Sequence, residues 1–199
     1  MKAYISGGAK NGKSTLAQNM ALEIATKEKL PLYYVATMIP TDTEDHERIA
    51  RHREERAGLG FITVERSEKL SGIVFPKGGC NPKGVFLIDS VTALLSNVMF
   101  PTQTVDMEHP RPVAWFNPGA AEEVASDLAE FLSKIEHAVL VSDYIYADPV
   151  PKSDGEDYTG TYMKGLAYID REIAKLCDKL VEVSVGLEEL HITAASDTK

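Results

Sequence analysis

The sequence predicts an α/β fold, a mostly parallel sheet covered by helices on both faces as a three-layer sandwich, within a single domain spanning 1–199. Three observations predict it. Apolar strand-like runs alternate with amphipathic stretches along the chain, the order that yields parallel strands joined by right-handed helical crossovers. Two of the runs, 32–37 and 85–89, are apolar without alternation, as strands buried on both faces are. The first strand breaks into a glycine turn that opens directly into a helix, which is where such folds hold phosphates.

Taken in order, 3–6 is a short β-rich run ending at Gly7-Gly8, and 14–27 reads as a helix with Leu16, Met20 and Ile24 at helical spacing. Pro31 stops that helix and 32–37 is the next strand. Residues 42–56 are strongly charged and helical in propensity, with few apolar anchors. A strand at 61–64, a Gly/Pro turn at 77–84, a buried strand at 85–89 and a short apolar helix at 91–100 follow. The proline-rich 101–118 has no clear period and reads as a long loop or lid. An amphipathic helix at 120–137 feeds a strand at 138–142. After a polar loop at 146–159 come a helix at 162–179 and a last strand at 181–185. Residues 188–199 read as a tail.

The bulk composition narrows the function. A net charge of -9 argues against a nucleic-acid groove, which needs a basic face to displace phosphate counterions. It leaves room for a mononucleotide, since backbone amides supply most of the donors a phosphate needs. No stretch approaches the ~20 apolar residues of a membrane span, and 1–6 is too short for the apolar core of a signal peptide. Cys80 and Cys177 lie far apart without metal or redox spacing and read as reduced thiols. The expectation is a soluble, cytoplasmic protein.

The strongest local signal is Gly7-Gly8-Ala9-Lys10-Asn11-Gly12-Lys13-Ser14, a complete G-x4-G-K-S pattern between a strand and a helix. The glycines let successive N–H groups converge on phosphate oxygens, Lys13 is placed for the β and γ phosphates, and the Ser14 hydroxyl for Mg²⁺. Val85-Phe86-Leu87-Ile88-Asp89 has the form of the second metal-binding strand, an apolar run ending in a carboxylate. Asp89 equally suits the N-cap of the following helix. This is a P-loop nucleoside-triphosphate-binding pattern, with GTP or ATP as the ligand. No NKxD guanine reader exists, since Asn81-Pro82-Lys83-Gly84 has the wrong last residue. A regulatory GTPase is therefore excluded, leaving small-molecule kinases and transferases, or a nucleotide-dependent binding module.

Four blocks in order carry a family resemblance. They are Ser6 to Ser14, Tyr34-Val35-Ala36-Thr37, Arg48-Ile49-Ala50-Arg51-His52-Arg53, and Leu87-Ile88-Asp89-Ser90-Val91-Thr92. Over about residues 3–100 the chain resembles the bifunctional adenosylcobinamide kinase / adenosylcobinamide-phosphate guanylyltransferase family. The resemblance implies phosphorylation of adenosylcobinamide, then transfer of GMP from GTP to give adenosyl-GDP-cobinamide. It implies His52 as the residue that carries GMP covalently. It implies nucleotide contacts at Ala36, Thr37 and Met38, at Arg53, Glu54, Glu55 and Arg56, and at the carboxylates Glu65 and Asp89, where the family has Glu in place of Asp89. It also implies a ring-like homotrimer.

Neutral imidazole is a competent nucleophile, and the arginines around His52 suit a triphosphate. Read from the residues alone, His52 is better explained as a solvated position on a charged surface helix, and its role as nucleophile comes from the resemblance. His46, six residues earlier, is expected on another helical face, which argues against a His/His metal pair. The second half departs from the family pattern. Asp143-Tyr144-Ile145-Tyr146 stands where an Asn-Glu-Val-Gly type segment is expected, and Met163-Lys164 and Asp170-Arg171 stand where Arg-Asp and Asn-Gln pairs are expected. Tyr144, Tyr146, Tyr158 and Tyr162 could stack on a flat macrocycle or pack the core, with packing favoured for most. Two other readings compete with the family's two-step chemistry. A P-loop kinase of another small alcohol predicts phosphoryl transfer without covalent nucleotide, and a non-catalytic nucleotide sensor predicts binding without turnover.

Overall fold

In the computed structural model, which describes residues 1–73, 79–101, 116–145, 158–184 and 187–192, seven strands form one sheet. They are β1 (Lys2–Gly7), β2 (Leu32–Ala36), β3 (Phe61–Glu65), β4 (Val85–Asp89), β5 (His137–Asp143), β6 (Lys179–Ser184) and β7 (Leu187–Ile192). Their order is β3-β2-β4-β5-β1-β6-β7. The first six run parallel, and β7 pairs antiparallel with β6 at the edge. The helices are α1 (Lys13–Glu28), α2 (Thr43–Arg56), α3 (Val91–Met99), α4 (Ala120–Lys134) and α5 (Tyr158–Ala174), with a 3-10 turn at Leu70–Ile73. This is the expected three-layer α/β sandwich.

Alternation along the strands divides the core into two. Tyr4, Phe86, Ile88, Ala138 and Leu140 face one side and pack with α3, α4 and α5. Tyr33 stacks on Phe86 at 4.8 Å, and Phe131 of α4 meets Phe86 edge-on at 5.4 Å. Ile5, Leu87, Val139 and Val181 face the other side, against α1. There the fully buried stripe of α1 is Ala17, Ala21 and Ala25, while Leu16, Met20 and Ile24 flank it half-buried. Small residues let α1 lie close to the strands, so the side chains with the strongest apolar spacing straddle the contact instead of filling it.

Tertiary pairing moved three boundaries. The helix expected through 137 ends at Lys134, because Ile135 is extended and buried and His137 pairs with Val85 in β5. The helix expected at 162–179 runs instead over Tyr158–Ala174. Asp178 N–H donates to the Lys2 carbonyl (2.8 Å) and Lys179 already pairs beside Ala3 of β1. The expected tail at 188–199 is corrected over 188–192, which lies in β7. Residues 193–199 lie outside the described residues, as do 102–115 of the expected lid, 146–157 of the expected polar loop and 77–78 of the expected turn. No helix among the described residues is long and apolar enough to cross a membrane.

Candidate active site

The carboxyl end of β1 sets the site. Gly7 leaves the sheet where an added Cβ would collide with the Val183 carbonyl of β6 and the Asn11 amide, so only glycine fits. Gly12 closes the loop in the left-handed region (φ 93°) at the N-cap of α1. It has no side chain to occupy the first-turn N–H groups, which leaves the positive end of α1 available to an anion. The Asn11 amide ties the loop to the Val183 carbonyl. Lys13 is 6% exposed and points back over the loop. Its ammonium donates to the Gly8 carbonyl at 2.5 Å and the Asn11 side-chain oxygen at 3.4 Å, and pairs with Asp143 at 3.0 Å. Gly8, Ala9 and Lys10 form the exposed crest of the loop, and Ser14 follows half-buried in the first turn of α1.

Two carboxylates end neighbouring strands. Asp89 closes β4 and accepts from the Tyr34 hydroxyl at 3.1 Å. It does not cap α3. That role belongs to Ser90, whose hydroxyl oxygen accepts from Ala93 N–H, so the alternative reading of Asp89 as N-cap is set aside. Thr37, fully buried, donates its hydroxyl to the Ser90 carbonyl and accepts from Ser90 N–H. Its own carbonyl accepts from Asn97 of α3. Thr37 thus locks the ends of β2 and β4 together. Asp143 closes β5, paired in register with Gly7, and its N–H donates to the Thr92 hydroxyl at 2.9 Å.

The third part is α2. Asp42 caps it by accepting from Asp45 N–H (2.8 Å). Arg56 in its last turn is 7% exposed, and its guanidinium carbon lies 3.4 Å from the centre of the Tyr34 ring. One terminal nitrogen, Nη1, is buried without a hydrogen-bond partner among the described residues. Arg53 pairs with Glu65 of β3. His52 lies half-buried on the same helix.

A cleft of about 790 Å³ lies between the strand-end carboxylates and α2; neither Thr37 nor any residue from Gly7 to Ser14 lines it, and the phosphate loop reaches it only through the Lys13–Asp143 pair. Of the residues expected from sequence, Ala36, Met38, His52, Arg53, Arg56, Glu65 and Asp89 line it, together with Asp143, which carries the Lys13 ion pair to its wall. Glu54 is exposed and does not line the cleft, and the side chain of Glu55 is not among those described. His46 and His52 both border the cleft, at the two edges of the single stripe of α2 (Asp45, His46, Ile49, His52, Arg53 and Arg56) that faces it. No group of three or more metal-ligating side chains occurs among the described residues.

Sequence reasoning missed Asp143 and Tyr34. The signal for Asp143 was present, since an apolar run ending in Asp closes β5 as it closes β4. Tyr162 also lines the cleft and donates to the Thr92 carbonyl at 2.9 Å. Its burial, then the charges of Asp143 and Asp170, push its hydroxyl well above the usual tyrosine range. Tyr158 packs edge-on against Phe116 at 4.8 Å while remaining partly exposed. Tyr144 is exposed, and Tyr146 lies outside the described residues.

A glycine-bent loop on a helix N-terminus, with a buried lysine and strand-end carboxylates beside it, makes this a nucleotide-binding α/β protein of the P-loop class. The particular family follows from comparison with known proteins. Residues 3–190 match the CobU family, cobinamide kinase / cobinamide phosphate guanyltransferase, and the chain belongs to it. It is 26% identical over 187 residues to the bifunctional adenosylcobalamin biosynthesis protein CobP of Pseudomonas aeruginosa, covering 94% of this chain and 95% of that protein. It is 32% identical over 100 residues to the bifunctional adenosylcobalamin biosynthesis protein CobU of Escherichia coli, about half of each chain. A looser structural likeness, TM-score 0.46 at 12% identity, covers 95% of this chain and 75% of the flagellar accessory protein FlaH from Methanocaldococcus jannaschii.

Proposed function

We propose that this protein is a transferase of cobalamin assembly that carries out two group transfers at one cleft. In the first, the terminal phosphate of ATP or GTP passes to the hydroxyl of adenosylcobinamide. In the second, GMP from GTP passes through His52 to the phosphorylated product, giving adenosyl-GDP-cobinamide. The observation that carries the reading is that His52, between Arg53 and Arg56, borders the same cleft as Asp89 and the Lys13 partner Asp143.

In the guanylyl step a ring nitrogen of neutral His52 attacks the α-phosphorus of GTP. The N–P bond forms while the bond to the bridging oxygen breaks, and that electron pair leaves on pyrophosphate. Lys13 and the buried Arg56 guanidinium stabilise the charge gathering on the leaving group. The phosphate oxygen of the acceptor then attacks the guanylyl phosphorus and releases His52. The loop from Gly7 to Gly12 holds the triphosphate by its backbone N–H groups. The residues also fit Mg²⁺. The Ser14 hydroxyl and Asp89 are hard oxygen donors in a set poor in protein ligands, which suits an ion that takes one or two carboxylates and otherwise phosphate and water. When bound, it neutralises charge on the β and γ phosphates.

The test is incubation with Mg²⁺ and GTP labelled on the α-phosphate, beside His52→Ala. The expected result is acid-labile, alkali-stable label on the wild type alone. Absence of label with nucleotide binding intact would favour a P-loop kinase without a covalent nucleotide. A cytoplasmic setting and a homotrimer belong to the same reading, and sedimentation of the pure protein tests the latter.

A further inference from the structure

The kinase step requires that the acceptor hydroxyl lose its proton as its oxygen bonds to phosphorus. Positioning of the phosphates by the loop does not supply that function. We propose that Asp143 is the general base of this step, an assignment that rests on the kinase half of the function proposed above. Three observations carry it.

First, Asp143 is fixed relative to the phosphate loop. It is paired in register with Gly7 on the adjacent strand, Tyr144 N–H donates to the Gly7 carbonyl at 2.8 Å, and its own N–H is held by Thr92. Second, its carboxylate lies 3.0 Å from the Lys13 ammonium, the group placed for the terminal phosphates. It therefore stands within one side-chain length of where the transferred phosphoryl group would sit. Third, it is accessible, with its side chain 32% exposed on the cleft wall, whereas Lys13 is 6% exposed beneath it. Asp89 is held differently, by the Tyr34 hydroxyl beneath the Arg56 guanidinium. The two strand-end carboxylates thus divide the work, Asp89 on the metal side and Asp143 on the acceptor side.

Before nucleotide binds, Asp143 holds Lys13 in place. Phosphate oxygens then give Lys13 other acceptors, and the Asp143 carboxylate turns to the incoming alcohol. The acceptor oxygen bonds to the γ-phosphorus, the bond to the β-phosphate oxygen breaks with its electron pair leaving on the nucleoside diphosphate, and the hydroxyl proton passes to Asp143 and then to water.

The experiment measures two half-reactions on wild type, Asp143→Asn and Asp143→Ala. These are phosphorylation of adenosylcobinamide, and guanylylation of His52 from GTP without acceptor. Nucleotide binding and thermal unfolding are followed on each variant. The expected result is a fall in the phosphorylation kcat of about 10² to 10⁴-fold, the range of general-base contributions. Phosphorylation should fall at least ten-fold further than guanylylation, and added formate should restore phosphorylation in Asp143→Ala. Phosphorylation within three-fold of wild type in Asp143→Asn would overturn the assignment alone. A matched fall in both half-reactions without formate rescue would overturn it too, leaving Asp143 a positioning residue for Lys13. A wild-type protein that guanylylates His52 yet never phosphorylates the acceptor would remove the kinase reading and this proposal with it.

Discussion

The two walls of the cleft are built on different principles. One is the carboxyl edge of the sheet, where Asp89 and Asp143 end buried strands whose register is fixed by neighbours on both sides. The other is α2, which carries His52, Arg53 and Arg56 but is absent from the helices that pack broadly on the sheet. Among the described contacts, the Arg56 guanidinium lies on the Tyr34 ring, and the exposed Arg53–Glu65 pair adds little. The sheet edge is therefore preorganised, while α2 belongs to the part of the structure that opens at low free-energy cost. Phosphate binding needs the first property. A histidine that must accept GMP from one substrate and deliver it to another benefits from the second.

The comparison breaks most sharply at Lys13. Lys13→Ala should lower both phosphorylation and guanylylation by about 10³-fold, in line with loss of a principal charge-stabilising donor, since the sheet edge serves both. Steady-state rates for the two half-reactions check this. His52→Ala should remove the covalent label entirely while leaving phosphorylation within a few-fold, as α2 enters only the second step. Retained label would move the nucleophile elsewhere, and the cleft neighbour His46 is the first place to look.

Hydrogen exchange sharpens the contrast without mutation. Amides of α2 should exchange on the order of 100-fold faster than those of β1, β4 and β5, and should slow when a non-hydrolysable GTP analogue is bound. Equal protection would show that α2 is as firmly held as the sheet. Arg56→Lys should raise the KM for GTP about ten-fold in guanylylation, because a lysine loses the planar stack on Tyr34 and the unpartnered guanidinium nitrogen.

The smallest effect concerns stability at alkaline pH. Burial raises Cys177 to about 12, and burial followed by the charge of Asp170 raises Tyr4 well above its ordinary value. The unfolded chain releases these protons first, near 9 for the thiol and 10 for the phenol. Their contribution is thus complete below about pH 9 and is lost as the pH climbs from there toward the folded values. Urea midpoints should fall between pH 9 and pH 11, and a flat profile would contradict this.

The resemblance read from four short blocks is borne out by the family match over residues 3–190. Those blocks were legible because the backbone demands of a phosphate loop leave few alternatives. Gly7 is required by its closeness to Val183, and Gly12 by its left-handed φ. The ends of α4 and α5 were less legible. Helical periodicity continued past Lys134 and Ala174, and only pairing of His137 with Val85 and of Lys179 with Ala3 claimed those residues for strands. The edge strand β7 was misread as a tail for a similar reason, since its support comes from β6.

By itself the sequence determined the alternation of strands and helices, the glycine loop, and the identity of the residues able to carry charge or a nucleotide. These are properties of local backbone freedom and side-chain chemistry. Only the tertiary structure decided that Asp143 meets Lys13, that Arg56 lies on Tyr34 beside Asp89, and that Glu54 stays outside the cleft while His46 borders it. Such contacts join residues up to 130 positions apart. They depend on strand order and helix rotation, and both are settled by burying two opposite faces of one sheet at once.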